Sequence, residues 1–263
     1  MTRHDEVSSR REMLGMGARS LLALSLIQHA CRSGYARESE RGSIEGWIHQ
    51  LDQVSRRLAR GDVSALQWQE ELDRLYGSVP MKSLLKVIDF NKLGDRLAHR
   101  DLRGRGEIFE DIPLGPIPSQ NGRWPEESAT AIVKIAHVKK GRSIPPHGHS
   151  NMTSAFLCIS GNFAVRLYDR LDMIDNEMVV RQTVDEKSLG PGTWSSISDY
   201  RNNVHWLTAL SDDCFLFTAK LIRLEKGREF RGRININLKE AKVLGSQTYR
   251  APIISGRRAA ELY

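Results

Sequence analysis

The hydrophobic pattern along the chain changes its period at about residue 106. Between residues 43 and 100, apolar side chains recur every three or four positions, as at Ile44, Ile48 and Leu51, and Gly61 interrupts the first run. This spacing is typical of amphipathic helices that end at a glycine. Beyond residue 106, short runs of β-branched and aromatic residues alternate with Gly, Pro, Asn and Asp. That pattern predicts strands joined by turns.

The predicted strands are short and closely spaced. They cover residues 130–138, 152–159, 163–168, 178–184, 204–209 and 215–222. Such strands are typical of an all-β sandwich or barrel. We interpret the Arg- and Asp-rich stretch 169–177 as a solvated loop. The predicted organisation is a helical region at 43–103, a β domain at 105–240 and a C-terminal tail at 241–263.

The first 36 residues differ from the rest of the chain. Arg10 and Arg11 precede the apolar run 21–27, and small residues follow near Ala30 and at 34–36. A charged segment, an apolar segment and small residues at a cleavage site are the three parts of an export signal. The paired arginines resemble the twin-arginine signal of bacterial exported proteins. The sequence therefore predicts export to the periplasm, with a cytoplasmic protein that begins with an amphipathic helix as the alternative.

The composition excludes several classes of protein. Hydrophobic residues make up 40% of the chain and charged residues 27%, as in an ordinary globular protein. No uninterrupted apolar run approaches the length of a membrane span, so no membrane-spanning segment is expected after removal of the signal. The net charge is +7, but no basic block with interleaved aromatics predicts nucleic-acid binding. Without the signal only Cys158 and Cys214 remain, and their pairing stays open.

His147 and His149 are the strongest candidates for chemistry. They are two positions apart, so on a strand both imidazoles leave from the same face. Two neutral imidazoles directed at one point form half of a transition-metal site. Two prolines directly before them restrict the backbone. His205 is the best candidate for a third ligand, because it begins the next strongly apolar strand after the turn at 190–192.

The spacing of these residues resembles a known motif. The pattern Gly141-x5-His147-x-His149-x4-Ser154-x6-Gly161 is similar to the first motif of the cupin superfamily, with Ser154 at the usual position of a glutamate ligand. The resemblance covers about residues 105–225. It implies a mainly β fold, a cupin-type double-stranded β-helix (jelly-roll barrel), preceded by an α-helical N-terminal region.

Part of this region resembles one branch of the cupins more closely. Residues 146–153 resemble the thiol dioxygenases, above all the plant cysteine oxidase and cysteamine dioxygenase family, which shows a similar Pro-x-His-Asp-His-x-x-Met run. The Tyr168-Asp169 pair matches a Tyr-Asp ending in that family. The family's third histidine lies in an Asn-x-His element, which Asn203 and His205 match.

The resemblance implies a mononuclear non-haem Fe²⁺ site held by His147, His149 and His205. Three neutral histidines without a carboxylate leave positive charge and open coordination positions, so that a thiolate and dioxygen bind together. Ser154 in place of the glutamate favours this branch, whereas Gly148 replaces the family's Asp, which bears on the substrate more than on the metal. Zinc, manganese and nickel stay open as alternative metals. A cupin that binds a metal or small ligand without oxygenase activity is the alternative function.

The expected partners are O₂ and either a small thiol or an N-terminal cysteine. No catalytic residue beyond the metal ligands is assigned, and no oligomeric state is predicted. We expect four residues to line the substrate pocket: Ser154, Phe156, Asn203 and Leu207.

Overall fold

The computed structural model describes residues 43–98, 107–111 and 131–263. The predicted export signal at 1–36 lies outside these residues. Four helices come first: α1 (Ile44–Ala59), α2 (Ala65–Tyr76), α3 (Met81–Val87) and α4 (Phe90–Ala98). Ser43 and Ser64 begin the first two helices, because each hydroxyl accepts a hydrogen bond from a backbone N–H of the first turn. No helix in the described parts of the chain has the length and apolar character needed to cross a membrane.

Two antiparallel sheets follow the helices. Their strands are β1 (Glu107–Asp111), β2 (Ile132–Val138), β3 (Ser143–Ser150), β4 (Met152–Ser160), β5 (Phe163–Ile174), β6 (Glu177–Leu189), β7 (Trp194–Ile197), β8 (Val204–Ala209), β9 (Cys214–Ile222), β10 (Arg231–Asn235), β11 (Lys242–Gly245) and β12 (Thr248–Pro252). The five-stranded sheet has the order β1-β2-β9-β4-β7, and the seven-stranded sheet has the order β10-β3-β8-β5-β6-β12-β11. A short helix, α5 (Gly256–Leu262), ends the chain.

The two sheets enclose a hydrophobic core. Phe163, Val165 and Leu167 alternate along β5 and pack with Leu216 of β9 and Ile144 of β3. This alternation is the period of two that the sequence shows for these segments. The predicted fold class, a mainly β jelly-roll fold with helices before it, is confirmed.

The helices pack against the outer face of the five-stranded sheet. Trp47 of α1 and Tyr76 of α2 lie next to Phe217 of β9, with ring centroids 6.0 and 6.4 Å from that of Phe217. Leu157 of β4 belongs to the same buried cluster. The helices and the barrel therefore share one hydrophobic cluster.

The stretch 169–177 is not a loop, so this part of the sequence interpretation is wrong. β5 and β6 continue through it and meet at a tight turn, where Asp175 has a positive φ of 54°. Arg181 pairs with Asp169 across the two strands at 3.1 Å. Backbone hydrogen bonds between the two strands and exposed ion pairs of this kind hold the hairpin together. Its sequence therefore lacks the apolar alternation that identifies a half-buried strand.

The last residues of the chain also form regular structure. β12 pairs with β6, with Thr248 opposite Arg181 and Pro252 opposite Glu177, and β11 forms the edge of the sheet beyond it. The Tyr263 hydroxyl accepts a hydrogen bond from the N–H of Leu238 at 2.9 Å. The sequence indicated only a tail for residues 241–263, but residues 242–252 complete the seven-stranded sheet and Gly256–Leu262 form a helix.

Candidate metal centre

Two neighbouring strands of the seven-stranded sheet carry the three predicted metal ligands. His147 and His149 lie on β3, and His147 is directly opposite His205 of β8. His149 shares a face with His147 because the two are separated by one residue on a strand. The candidate ligand atoms of the three side chains all lie within 4.8 Å of one another. The structure therefore brings the predicted ligands together.

The cluster lies in the interior of the protein. His147, His149 and His205 are 1%, 6% and 4% exposed, and their ring centroids are 4.1 to 5.2 Å apart. Among the described residues, no carboxylate or thiol belongs to this group. Three imidazole nitrogens that converge without an anionic ligand fit a divalent transition-metal ion.

Hydrogen bonds from the ring nitrogens orient two of the imidazoles. His147 Nδ1 donates to the carbonyl of Pro145 at 2.7 Å, and His149 Nδ1 donates to the carbonyl of Gly232. A proton held on Nδ1 leaves the lone pair of Nε2 available for a metal. His205 Nδ1 is buried and makes no hydrogen bond within the described residues. These contacts fit a metal-binding role for the cluster.

Burial keeps all three histidines neutral. It lowers the pKa of His147 and of His205 well below 6.5, and it lowers the pKa of His149 to about 3. The positive charge of Arg233 lowers all three pKa values further. At neutral pH each imidazole is therefore deprotonated, which is the form that binds a metal.

Asn203 holds the backbone of His149. Its Oδ1 accepts a hydrogen bond from the His149 N–H at 3.3 Å, and its Nδ2 donates to the His149 carbonyl at 3.1 Å. Arg170 also donates to this carbonyl, at 2.6 Å. Asn203 was predicted to line the substrate pocket, but the structure places its amide on the His149 backbone. Its position two residues before His205 links the two ligand-bearing strands.

A buried carboxylate supports this arrangement. The Asp199 side chain is 3% exposed and lies between Arg170 at 3.6 Å and Arg228 at 3.3 Å. Its other contacts include the N–H of Asn151, which donates at 2.7 Å. Burial raises the pKa of Asp199 above its ordinary value, although the Asn151 N–H and the two guanidinium groups offset part of this effect. This network fixes the turn between β3 and β4, directly after His149.

Because Gly148 has no side chain, the side chain of Asn203 has room to pack against it. A Cβ at Gly148 would lie 2.6 Å from Asn203 Oδ1 and 3.1 Å from Val204 Cγ2. Side chains in real proteins do not approach so closely, so any other residue here displaces Asn203 from His149. The glycine between the two histidines is thus required by the local packing.

The other predicted pocket residues face the interior of the barrel. The Phe156 ring centroid is 5.0 Å from that of His205, and Phe156 and Leu207 line a small apolar cavity below the cluster. Ser154 shares a face with Phe156 because the two are separated by one residue on β4. Its hydroxyl donates to the carbonyl of Ala219 at 3.3 Å.

Cys158 lines the same cavity and is not a reactive thiol. Cys158 and Cys214 are both buried and free. Burial raises the pKa of Cys158 to about 12, so the thiolate is not populated at neutral pH. We therefore assign Cys158 to packing.

Arg233 is a residue of the site that sequence reasoning missed. It lies on β10, next to Gly232, whose carbonyl holds His149. Its guanidinium donates to Glu107 of β1 at 2.5 Å. The segment around Arg233 contains exposed charged residues and matches no part of the cupin motif, so the only signal was its place after the last predicted strand.

Comparisons with known proteins give a likeness to several solved structures. No protein-family model and no curated protein matches the chain. KdgF from Halomonas sp. is 14% identical over 47% of this chain and 84% of its own, with a TM-score of 0.32. Oxalate oxidase in complex with glycolate is 15% identical over 48% of this chain and 55% of its own, with a TM-score of 0.32. Vicilin from Corylus avellana (hazelnut) is 13% identical over 41% of this chain and 26% of its own, with a TM-score of 0.30. The histidine cluster, rather than these likenesses, is the basis for a functional assignment.

Proposed function

We propose that this protein is a mononuclear non-haem iron cupin that oxidises a small thiol or an N-terminal cysteine with O₂. The supporting observation is the group of three buried, neutral histidines without a carboxylate among the described residues. Fe²⁺ held by these three histidines would supply the chemistry that activates dioxygen toward a thiolate. The two oxygen atoms of O₂ are transferred to the sulfur, so a thiolate becomes a sulfinate and no external reductant is needed.

The residues of the chain have three tasks in this proposal. His147, His149 and His205 hold the ion without neutralising its charge, which favours binding of an anionic thiolate. The carbonyls of Pro145 and Gly232 fix two of the imidazole rings. The apolar side chains below the cluster, among them Phe156, exclude water from the side of the site that faces the core.

A metal-binding cupin without oxygenase activity is the second candidate. The same three nitrogens suit zinc, and three histidines with one water form a known type of hydrolytic site. Zinc hydrolysis needs a general base, and neither of the two motifs that carry the histidines contains a glutamate or aspartate. That observation favours iron over zinc.

Metal content and oxygen uptake test the proposal together. The protein is loaded anaerobically with Fe²⁺, and we expect about one iron per chain and thiol-dependent oxygen uptake. His147→Ala and His205→Ala should each lose most of the iron, because two ligands hold the ion poorly. His137→Gln is the matched control, since His137 is also a buried barrel histidine but lies outside the cluster. Equal iron content in wild type and His205→Ala would remove His205 from the site, and iron binding without oxygen uptake would favour the second candidate.

We also propose that the protein is exported by the twin-arginine route. Replacement of Arg10 and Arg11 by Lys should keep the folded protein in the cytoplasm of a bacterial host. The measurement is the share of the protein in the periplasmic fraction, with Arg3→Lys as the control outside the pair. An equal periplasmic share in the double variant would contradict this proposal.

A further inference from the structure

A small cavity lies inside the barrel, next to the histidine cluster. Its free volume is about 20 Å³. Room of about 10–15 Å³ is enough for one water-sized molecule, so the cavity accepts a single small molecule. The apolar side chains of its wall come from both sheets and include Phe156, Phe163, Val165, Leu189, Leu207 and Leu216.

The cavity adjoins one of the three predicted metal ligands. The Phe156 ring forms part of the wall, and its centroid is 5.0 Å from that of His205. Leu207, another residue of the wall, shares a face with His205 because the two are separated by one residue on β8. The Phe156 side chain thus contacts both the cavity and the His205 ring.

The polar groups of the wall give little support to a water molecule. Water in a protein interior needs about two to four polar partners. The Cys158 thiol donates to the Gly161 carbonyl at 3.4 Å, and the Thr193 hydroxyl donates to the Gly190 carbonyl at 2.6 Å. No wall residue among those that the structure describes carries a charge. Apolar cavities stay dry and bind small apolar molecules.

We propose that this cavity is an entry site for O₂, which occupies it before it passes Phe156 to reach the metal centre. O₂ is a small apolar molecule, so its transfer from water into apolar surroundings is favourable. A thiol substrate is larger than the cavity and is charged as a thiolate, so the two substrates use separate approaches. This inference rests on the proposed function, because that function consumes O₂.

A buried water molecule is the contrary interpretation. Trp194 and Ser195 also line the cavity, and Trp194 Nε1 is buried without a hydrogen-bond partner within the described residues. A water molecule held by this N–H and by the Ser195 hydroxyl would fill the cavity and leave no room for O₂. The two interpretations differ in whether the methyl groups of the wall meet O₂ or water.

The first measurement uses the metal-free full chain with labelled methyl groups. Dissolved O₂ is paramagnetic, so it broadens the NMR signals of the methyl groups that it contacts. Spectra under O₂ are compared with spectra under N₂ at the same pressure, and contacts between water and methyl groups are measured on the same sample. The signals of Val165, Leu207 and Leu216 report on the cavity. Leu72 and Leu84 are the reference, because they are fully buried in the cluster that includes the helices.

Two substitutions fill the cavity. Val165→Ile adds one methylene to the wall, and Ser195→Val replaces the hydroxyl by methyl groups. Val138→Ile is the matched control, because Val138 is a buried barrel valine outside the wall of the cavity. The two filling substitutions lie on different strands, so either variant decides the question if the other does not fold.

We expect O₂ to broaden the signals of the wall methyl groups more than those of the reference leucines. Both filling variants should lose this excess, whereas Val138→Ile should retain it. In the iron-loaded protein, the filling variants should lower kcat/KM for O₂ by about threefold or more, with the KM for the thiol and the iron content unchanged. That difference between the two substrates distinguishes an entry site for O₂ from a general loss of structure.

Three results would overturn the inference. It fails if the wall methyl groups respond to O₂ no more than the reference leucines do. Contacts of water with these methyl groups, without an effect of O₂, would show a water site instead. Loss of the O₂ effect with kcat/KM for O₂ unchanged would show that O₂ reaches the metal centre by another route. Selective broadening in a protein that binds iron but consumes no O₂ with any thiol would contradict the proposed function rather than the cavity as a site for O₂.

Discussion

Ser154 is the residue at which this site differs from a cupin with a glutamate ligand. It faces the barrel interior beside Phe156, and its hydroxyl is held by the carbonyl of Ala219. We expect Ser154→Glu to retain or tighten metal binding, because it supplies a hard anionic ligand. The same change should suppress thiol-dependent oxygen uptake, since it fills an open position and lowers the charge that attracts thiolate. Iron content and oxygen uptake are the measurements.

Ser154→Ala is the control for this prediction. It removes the hydroxyl without adding a ligand, so both iron content and oxygen uptake should stay near those of wild type. If Ser154→Glu oxidises thiols as well as wild type does, the mechanism with three histidines is wrong for this protein. The general metal-binding function would then be favoured.

The sequence predicts the metal ligands better than it predicts the residues that hold them. His147 and His149 are identified by their spacing, and His205 by the strand that it begins. The contact between Asn203 and the His149 backbone depends on the approach of the β3–β4 turn to the start of β8, which no spacing encodes. Arg233 reaches the site through a strand pairing 84 residues from His149, so its role also required the structure.

At the scale of elements, the turn between β3 and β4 depends on Asp199. We expect Asp199→Asn to lower the free energy of unfolding by about 2 kcal/mol, because it leaves the half-buried Arg170 without a charged partner. Asp185→Asn is the matched control, since Asp185 pairs with Arg166 at the surface, and such pairs contribute only about 0–1 kcal/mol. Urea unfolding of the metal-free protein measures both losses. Equal losses in the two variants would contradict a special role for Asp199.

The elements themselves were predicted to different degrees. The strands that line the core, such as β8 and β9, consist largely of buried apolar residues, and these runs identify them in the sequence. The far end of the β5–β6 hairpin and β11 were not predicted, because they bury little apolar surface: every residue of β11 is exposed. Backbone pairing and exposed ion pairs stabilise such segments, and neither appears in the hydrophobic pattern of the sequence.

At the scale of the molecule, the neutral histidine cluster makes stability depend on pH. The three folded-state pKa values lie below 6.5, so the unfolded chain binds protons that the folded protein does not. Above pH 6.5 the neutral histidines cost no stability. As the pH falls below 6.5 toward the folded-state pKa, which is about 3 for His149, the free energy of unfolding decreases. Each histidine that stays neutral in the folded protein should lower the free energy of unfolding by on the order of 1 kcal/mol per pH unit in this range.

Urea unfolding of the metal-free protein at several pH values tests this dependence. The slope of the unfolding free energy against pH below 6.5 should be smaller in His147→Gln than in wild type, because one proton-binding difference is removed. The buried, neutral state of the cluster would be contradicted if the free energy of unfolding of wild type did not change between pH 6.5 and about pH 3, the folded-state pKa of His149.

The helices before the barrel stabilise it from the face opposite to the histidines. Trp47 is 3% exposed, contacts the Phe217 ring of the five-stranded sheet, and donates from Nε1 to the Leu75 carbonyl at 2.8 Å. We expect Trp47→Ala to lower the free energy of unfolding by about 3–5 kcal/mol, because it leaves a large cavity between the helices and the sheet. Metal affinity should stay within about twofold of wild type, since the ligands lie on the other sheet. Leu66→Ala, at an exposed position of α2, is the control and should cost less than about 0.5 kcal/mol. Calorimetry and a metal titration on the same samples separate the two effects. A loss of metal affinity in folded Trp47→Ala would instead show that the helices position the metal ligands.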